Sequence, residues 1–289
     1  SNNLLVGYNN NISGNSNSYV SGKNNRITGT HASGLLIYGD SNDVSGTSIN
    51  SLIGGTNIKA NNIENNFSFG KDHNIKNMKL SLFMGEGNVL DGGQNNTVMG
   101  KDNNLKNSEL TLITGKNNTV ENVYGTITYG ENNIVNTNSN HVLMGGNVNT
   151  SIKSTASAAF GTSNIINDVS NAIIAGENNT LTDCSNNLLV GYNNNISGNS
   201  NSYVSGTNNT LTGVNASGML IFGDNNTVSG HSINSLVGGT DNVVENVKNN
   251  MSFGTNQTIL NQELSLYMGT GHVLEDGSHN TVLGKTLRI

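Results

Sequence analysis

The sequence predicts an all-β protein, a parallel β-roll or solenoid of about 19 rungs, each 15–17 residues long. Three observations carry this. A glycine recurs at almost constant spacing through the whole chain. A short apolar run precedes each of these glycines. A polar, Asn-rich turn follows each of them.

The glycine ladder reads Gly7, Gly22, Gly39, Gly55, Gly70, Gly85, Gly100, Gly115, Gly130, Gly145, Gly161, Gly176, Gly191, Gly206, Gly223, Gly239, Gly254, Gly269 and Gly284. Every interval is 15, 16 or 17 residues. A repeat this short cannot hold a helix pair, and no 3.6-residue period is present. Two short strands and two turns do fit. The runs "LLVG", "LITG" and "LIFG" are rich in residues that suit a strand. Gly and Asn suit the turns because they tolerate a positive φ. Stacked at about 4.8 Å per rung, nineteen rungs would measure roughly 90 Å.

Within a rung, most repeats place one apolar residue five positions after the glycine, as at Ile12, Ile27, Val44, Leu105, Val120, Ile166, Leu181 and Ile196. Asn stands three positions after it in Asn10, Asn25, Asn42, Asn103, Asn118, Asn133, Asn164, Asn179, Asn194, Asn209, Asn226 and Asn242. Residues at one rung position stack along the solenoid axis. This Asn column is therefore expected to bond its own turn and the next Asn, a structural ladder and no ligand set.

Composition agrees with an ordered protein that has a thin core. Asn supplies 59 of 289 residues, Gly 36, and Pro and Trp none; 33% of residues are hydrophobic and 11% charged. Disorder usually brings Pro, high charge and no pattern, none of which is found here. The absence of Pro suits a chain in which nearly every N–H feeds a ladder bond. Residues 1–101 align without a gap with 185–285, and 67 of the 101 positions are identical. Residues 102–184 supply further rungs, so 1–289 is read as a single roll lengthened by copying whole rungs. The chain starts and stops in mid-pattern, which reads as a piece of a longer protein.

Consecutive strand residues face opposite sides, and both places before the glycine are apolar. The place three before it (Leu4, Leu36, Leu52, Phe67, Leu82, Leu112, Ile127, Ile173) is assigned to the interior. The place two before it forms a stripe of Leu5, Val20, Ile37, Ile53, Val98, Ile113, Leu143, Ile174, Leu189, Ile221 and Val237. Monomers rarely expose a patch this large, so the stripe is assigned to contact between copies of the chain. The spacing does not give the number of copies.

The rung elements "NNLLVG", "NSLIGG", "SLFMG" and "HVLMGG" resemble the head repeats of YadA-like trimeric autotransporter adhesins, and the resemblance covers the whole chain. It implies a left-handed roll, a side-by-side homotrimer, and display at the bacterial outer membrane on the cell surface. It also implies binding to a host surface protein or matrix. The Asn-rich rung style is similar to that of a fusobacterial adhesin of this kind, which implies a CEACAM receptor. This chain departs from the family in having rungs mostly of 15 residues, one longer than usual, and Asn where Ala is common.

Other functions find little support. With a net charge of −6 and single, scattered Lys and Arg residues, no basic stripe is available for nucleic acid. No apolar run approaches the roughly 20 residues of a membrane span, so no direct membrane contact is expected. The six His residues stand apart and make no metal or cofactor site. The lone Cys184 reads as a buried small residue. Carboxylates are spread along the rungs instead of paired, so no enzyme is expected. Ice binding would need a regular Thr-x-Thr array, and only fragments such as "TIT" occur. A structural or carbohydrate-binding trimeric fibre, as in a phage tail, is the alternative to an adhesin. Receptor candidates are the places that depart from the rung pattern. These are Tyr8 and Tyr192 just after a ladder glycine, Tyr124 in a connecting loop, and His31 and Asn215 in the longer 17-residue rungs.

Overall fold

The structure, a computed structural model, describes residues 2–14, 16–29, 33–45, 50–57, 59–60, 64–72, 79–89, 92–136, 138–213 and 216–288. Among them there is no helix. Nineteen five-residue strands each carry one ladder glycine, and they stack in parallel as a β-solenoid. The chain forms two compact units, residues 1–146 and 147–289.

In the first unit the glycine strands pair one above another without slippage, as Leu82–Glu86 does with Thr97–Lys101, placing Gly85 beside Gly100. In the second unit Ile173–Glu177 pairs with Leu188–Tyr192 in the same way. A second line of parallel pairs joins the short strands, such as Asn11–Ser13 with Arg26–Thr28 and Thr180–Ser185 with Asn195–Ser197. A third line consists of single bridges, for example Glu109 to Tyr124 and Ser185 to Ser200. Each rung thus has three sides, one more than two strands and two turns imply.

Corners of the rung take a left-handed backbone two places after the ladder glycine, five before it and, in many rungs, eight before it, as at Asp168 and Asp183. Asn fills many of them, as at Asn178 (φ 56°) and Asn186 (φ 55°). The ladder glycine itself bends the strand; Gly191 has φ 129°, and a Cβ there would collide with the Gly206 carbonyl. Side chains other than Gly are excluded by both conformation and space.

The Asn column forms as expected. Asn179 accepts from the backbone N–H and the amide of Asn194 at 3.0 and 3.1 Å, and donates to the Gly191 carbonyl at 2.7 Å. Buried amides of the column donate to strand carbonyls at the glycine bend, as Asn118 does to Gly130 at 3.0 Å and Asn209 to Gly223 at 2.8 Å. One ladder position is corrected. Gly146, not Gly145, is the glycine of its rung, because the Asn133 amide donates to the Gly146 carbonyl at 2.9 Å. Asn149 then falls into the column and is fully buried, as is Asn88. Gln257 and His272 continue the column, and His272 Nδ1 accepts the Leu287 N–H at 3.2 Å.

The two faces of the glycine strand are the reverse of the expectation. Val20, Ile37, Ile53, Val98, Ile113, Ile174, Leu189, Ile221 and Val237, two before the glycine, are fully buried inside the roll. They share the interior with Ile27, Leu105 and Leu181, five after the glycine, which are fully buried as well. Leu5 belongs to the same column but lies in the first rung, which has a neighbour on one side only, and stays exposed. Leu143 is three before Gly146 and half-buried on the outer face, and Met144 takes the inner place. Of the residues assigned inward, Leu4, Leu36, Phe67, Ile127 and Ile173 are exposed, and Leu52, Leu82 and Leu112 are half-buried on the outer face. Alternation separates the two columns, but both are apolar, so the pattern gives no polarity with which to choose the inner one. Wide residues fit the interior only beside narrow ones. Phe83 stacks on Ser68 and Tyr267 on Ser252, and the Tyr267 hydroxyl is hydrogen-bonded to the Gln262 amide at 2.8 Å.

Candidate functional site

The outward face of the glycine strands is the main unpartnered surface. It carries the column three before the glycine and the column one before it. Both are largely apolar in each unit: Leu36, Phe67, Met84, Met99 and Ile127 in the first, Ile173, Leu220, Phe222, Met251 and Met268 in the second, all at least a third exposed. The column one after the glycine borders this face and is polar. In the first unit it holds charges that pair between rungs, Glu86 with Lys101 at 3.7 Å and Lys116 with Glu131 at 3.0 Å. Exposed pairs of this kind add little stability, but they mark the edge of the apolar stripe.

A recurrent aromatic arrangement interrupts the column one before the glycine. The Tyr38 ring lies over Gly54 of the next rung, where any Cβ would overlap it, and its centroid is 6.0 Å from that of Phe69. In the second unit the Phe222 ring lies over Gly238 and is 5.9 Å from Phe253. The Tyr129 ring covers Gly145 in the same way. The missing side chain of each glycine lets an aromatic ring lie along the sheet.

The receptor candidates are dispersed. Tyr8 is 72% exposed in the first rung. Its counterpart Tyr192 is exposed between Glu177 and Thr207 of the neighbouring rungs. Tyr124 stands on the third side of the roll, where the His141 ring meets it edge-on at 5.4 Å. His31 and Asn215 lie outside the described residues. The structure does not gather Tyr8 and Tyr124 into one site: they occupy different sides of the first unit. Sequence reasoning missed a shallow groove of 610 Å³ in the second unit, which runs between the corner amides Asn171, Asn186 and Asn201 and the ridge of Ile173, Leu188, Tyr203 and Leu220. Its signal in the sequence is the recurring Asn two places before an outward apolar residue.

Among the described residues no group of three or more His, Cys, Asp or Glu side chains is placed to hold a metal ion. Burial raises the pKa of the Cys184 thiol and of the Tyr267 phenol. Both groups are packed in the core and neither faces the outward stripe. No helix is long and apolar enough to cross a membrane among the described residues. No family model matches the chain, and no curated protein matches it.

Proposed function

We propose that the chain is the adhesive head of a surface-displayed bacterial protein, assembled as a side-by-side homotrimer resembling YadA-like heads. One observation carries the assembly: a continuous apolar stripe covers the outside of a roll whose interior is already filled. The two outward columns, part-exposed or exposed at all their residues but Gly238, amount to on the order of 1,000 Å² over the nine rungs of the second unit, comparable to the ~800 Å² per partner of a standard interface. A surface of that size is stable in water when copies cover it. The number three and the host-facing role rest on the resemblance of the rung elements.

The partner in this reading is a host surface protein, with a CEACAM receptor as the first to test, or a matrix protein. The polar sides of the rungs remain free for it, and Tyr192 and Tyr124 are the exposed aromatic anchors there. Binding of the purified oligomer to host cells and to immobilised CEACAM ectodomains tests this. Failure to bind either, or any matrix protein, removes the adhesin reading. Retention of full binding by Tyr192→Ala and Tyr124→Ala removes those residues.

The groove beside Asn186, Asn201 and Tyr203 favours a second reading, a carbohydrate-binding fibre. Amides that pair with hydroxyls beside an aromatic ring suit a saccharide. A glycan array separates the two, because only the second reading expects saccharide binding that Tyr203→Ala abolishes.

A further inference from the structure

We infer that Leu80 and Leu110 in the first unit, and Leu264 in the second, widen the outward stripe at its edge and are covered there by a second copy of the chain. The inference rests on the self-assembly proposed above. These leucines stand five places before a ladder glycine, in a left-handed corner, at φ 52°, 54° and 51°. Every other rung of the first unit has Asn, Gly or His at this place. The stack imposes the conformation, since the Leu80 and Leu110 N–H groups donate to the Glu64 and Gln94 carbonyls of the preceding rung at 2.9 and 3.1 Å. A bulky side chain is disfavoured at positive φ, where Asn is tolerated. The leucine side chains recover little of that cost within the roll. Leu80 is 57% exposed, more than any other aliphatic side chain among the described residues outside the last rung, and Leu110 and Leu264 are about half exposed. Backbone strain held at an exposed site points to a contact outside the chain.

The position selects the occupant. Each leucine stands two residues before an outward one, Leu82, Leu112 or Leu266, so the corner continues the stripe of its own unit. Beyond the corner of the first unit the third side turns polar at once. Glu64 pairs there with Lys79 at 3.4 Å, and the Gln94 amide donates to Glu109 at 2.9 Å. A copy that covers the stripe, at the ~800 Å² per partner of a standard interface, reaches this edge. A partner seated on the polar sides meets the charges instead. The internal repeat agrees. Residues 1–101 recur as 185–285, which makes Leu264 the counterpart of Leu80. The adjoining charge is reversed between the two repeats, Lys79 against Glu263, while the leucine is the same. The shared feature is apolar, and each unit carries it separately.

The test uses the full chain with Cys184→Ser. Leu110→Cys places a single thiol at the corner, and Lys106→Cys places one at an exposed position just past the short strand Asn104–Leu105. In the assembled protein the thiol at 110 is expected to be alkylated about tenfold or more slowly than the thiol at 106. After dilution to single copies the two should react at similar rates. In a separate protein, Leu80→Asn and Leu110→Asn together install the residue that other rungs carry here, and circular dichroism should show an intact roll. Light scattering is expected to show its dissociation midpoint raised about tenfold in concentration. Leu80→Met with Leu110→Met should leave the midpoint within about twofold. Equal alkylation at 110 and 106 in the assembly overturns the inference, as does an unchanged midpoint in the folded Asn variant. Loss of host-cell binding in that variant with unchanged assembly also overturns it, because the leucines would then face a receptor. An unmodified protein that is monomeric at every concentration instead overturns the assembly reading itself.

Discussion

Substitutions at two adjacent residues distinguish the inside of the roll from its outer stripe. Ile174 is fully buried, stacked between Ala159 and Leu189 of the neighbouring rungs, and Ile173 is 47% exposed on the opposite face. Ile174→Ala removes three buried carbons from a site that cannot collapse, because the rungs above and below are held by ladder bonds. The expected cost is about 3 kcal/mol, seen as a fall of several degrees in the thermal midpoint by circular dichroism. The oligomeric state at matched concentration should not change. Ile173→Asp removes little from the roll itself, about 1 kcal/mol for a half-buried side chain. At an interface, however, it places a carboxylate from every copy in an apolar seam. Desolvation of each charge costs at least about 3 kcal/mol, a more than hundred-fold loss of association. Light scattering should then report monomers with a nearly unchanged far-ultraviolet spectrum. The reasoning is refuted if Ile174→Ala dissociates the protein without lowering its midpoint while Ile173→Asp remains assembled.

Asn179→Ala should cost about 2–4 kcal/mol, because the Asn194 N–H and the Gly191 carbonyl lose buried partners; a denaturant titration showing less than 1 kcal/mol would mean the ladder contributes little. Val148, a β-branched residue at φ 56° with an exposed side chain, occupies a corner that Asn fills in other rungs of the second unit, as at Asn178 and Asn193. Val148→Asn should raise stability by about 1 kcal/mol, and an unchanged melting curve argues against strain there. Burial raises the Cys184 pKa above its ordinary value of 9.0 because it penalises the thiolate. The group's contribution to stability is therefore present below the unfolded thiol's pKa and is lost as pH rises through the higher folded value. Alkylation of native protein near pH 8 should be much slower than that of unfolded protein, and equal rates would show an open site.

Much of this architecture is legible along the chain because a solenoid converts sequence period directly into stacking. The glycine ladder locates the bends, since no other residue can stand under the carbonyl of the next rung at positive φ. The Asn column is legible because its spacing from each glycine fixes the amide against strand carbonyls. Where two glycines adjoin in "LMGG", the spacing does not say which one bends. Only the hydrogen bond from Asn133 to the Gly146 carbonyl resolves the pair. The third side of most rungs is held by single bridges, with only a few strands, such as Thr180–Ser185, reaching onto it. The groove beside Asn186 and Tyr203 arises from a corner and a strand that the period alone does not relate.

The sequence by itself determined the rung, its stacking and the two apolar columns that flank each bend. Only the tertiary structure decided which column is core. Ile173 and Ile174 are chemically alike and one peptide apart, so alternation separates them without ranking them. The choice is made by the closing of the roll, which buries Ile166 and Leu181 of one line of strands and Ile174 and Leu189 of the other, and leaves Ile173 and Leu188 facing outward.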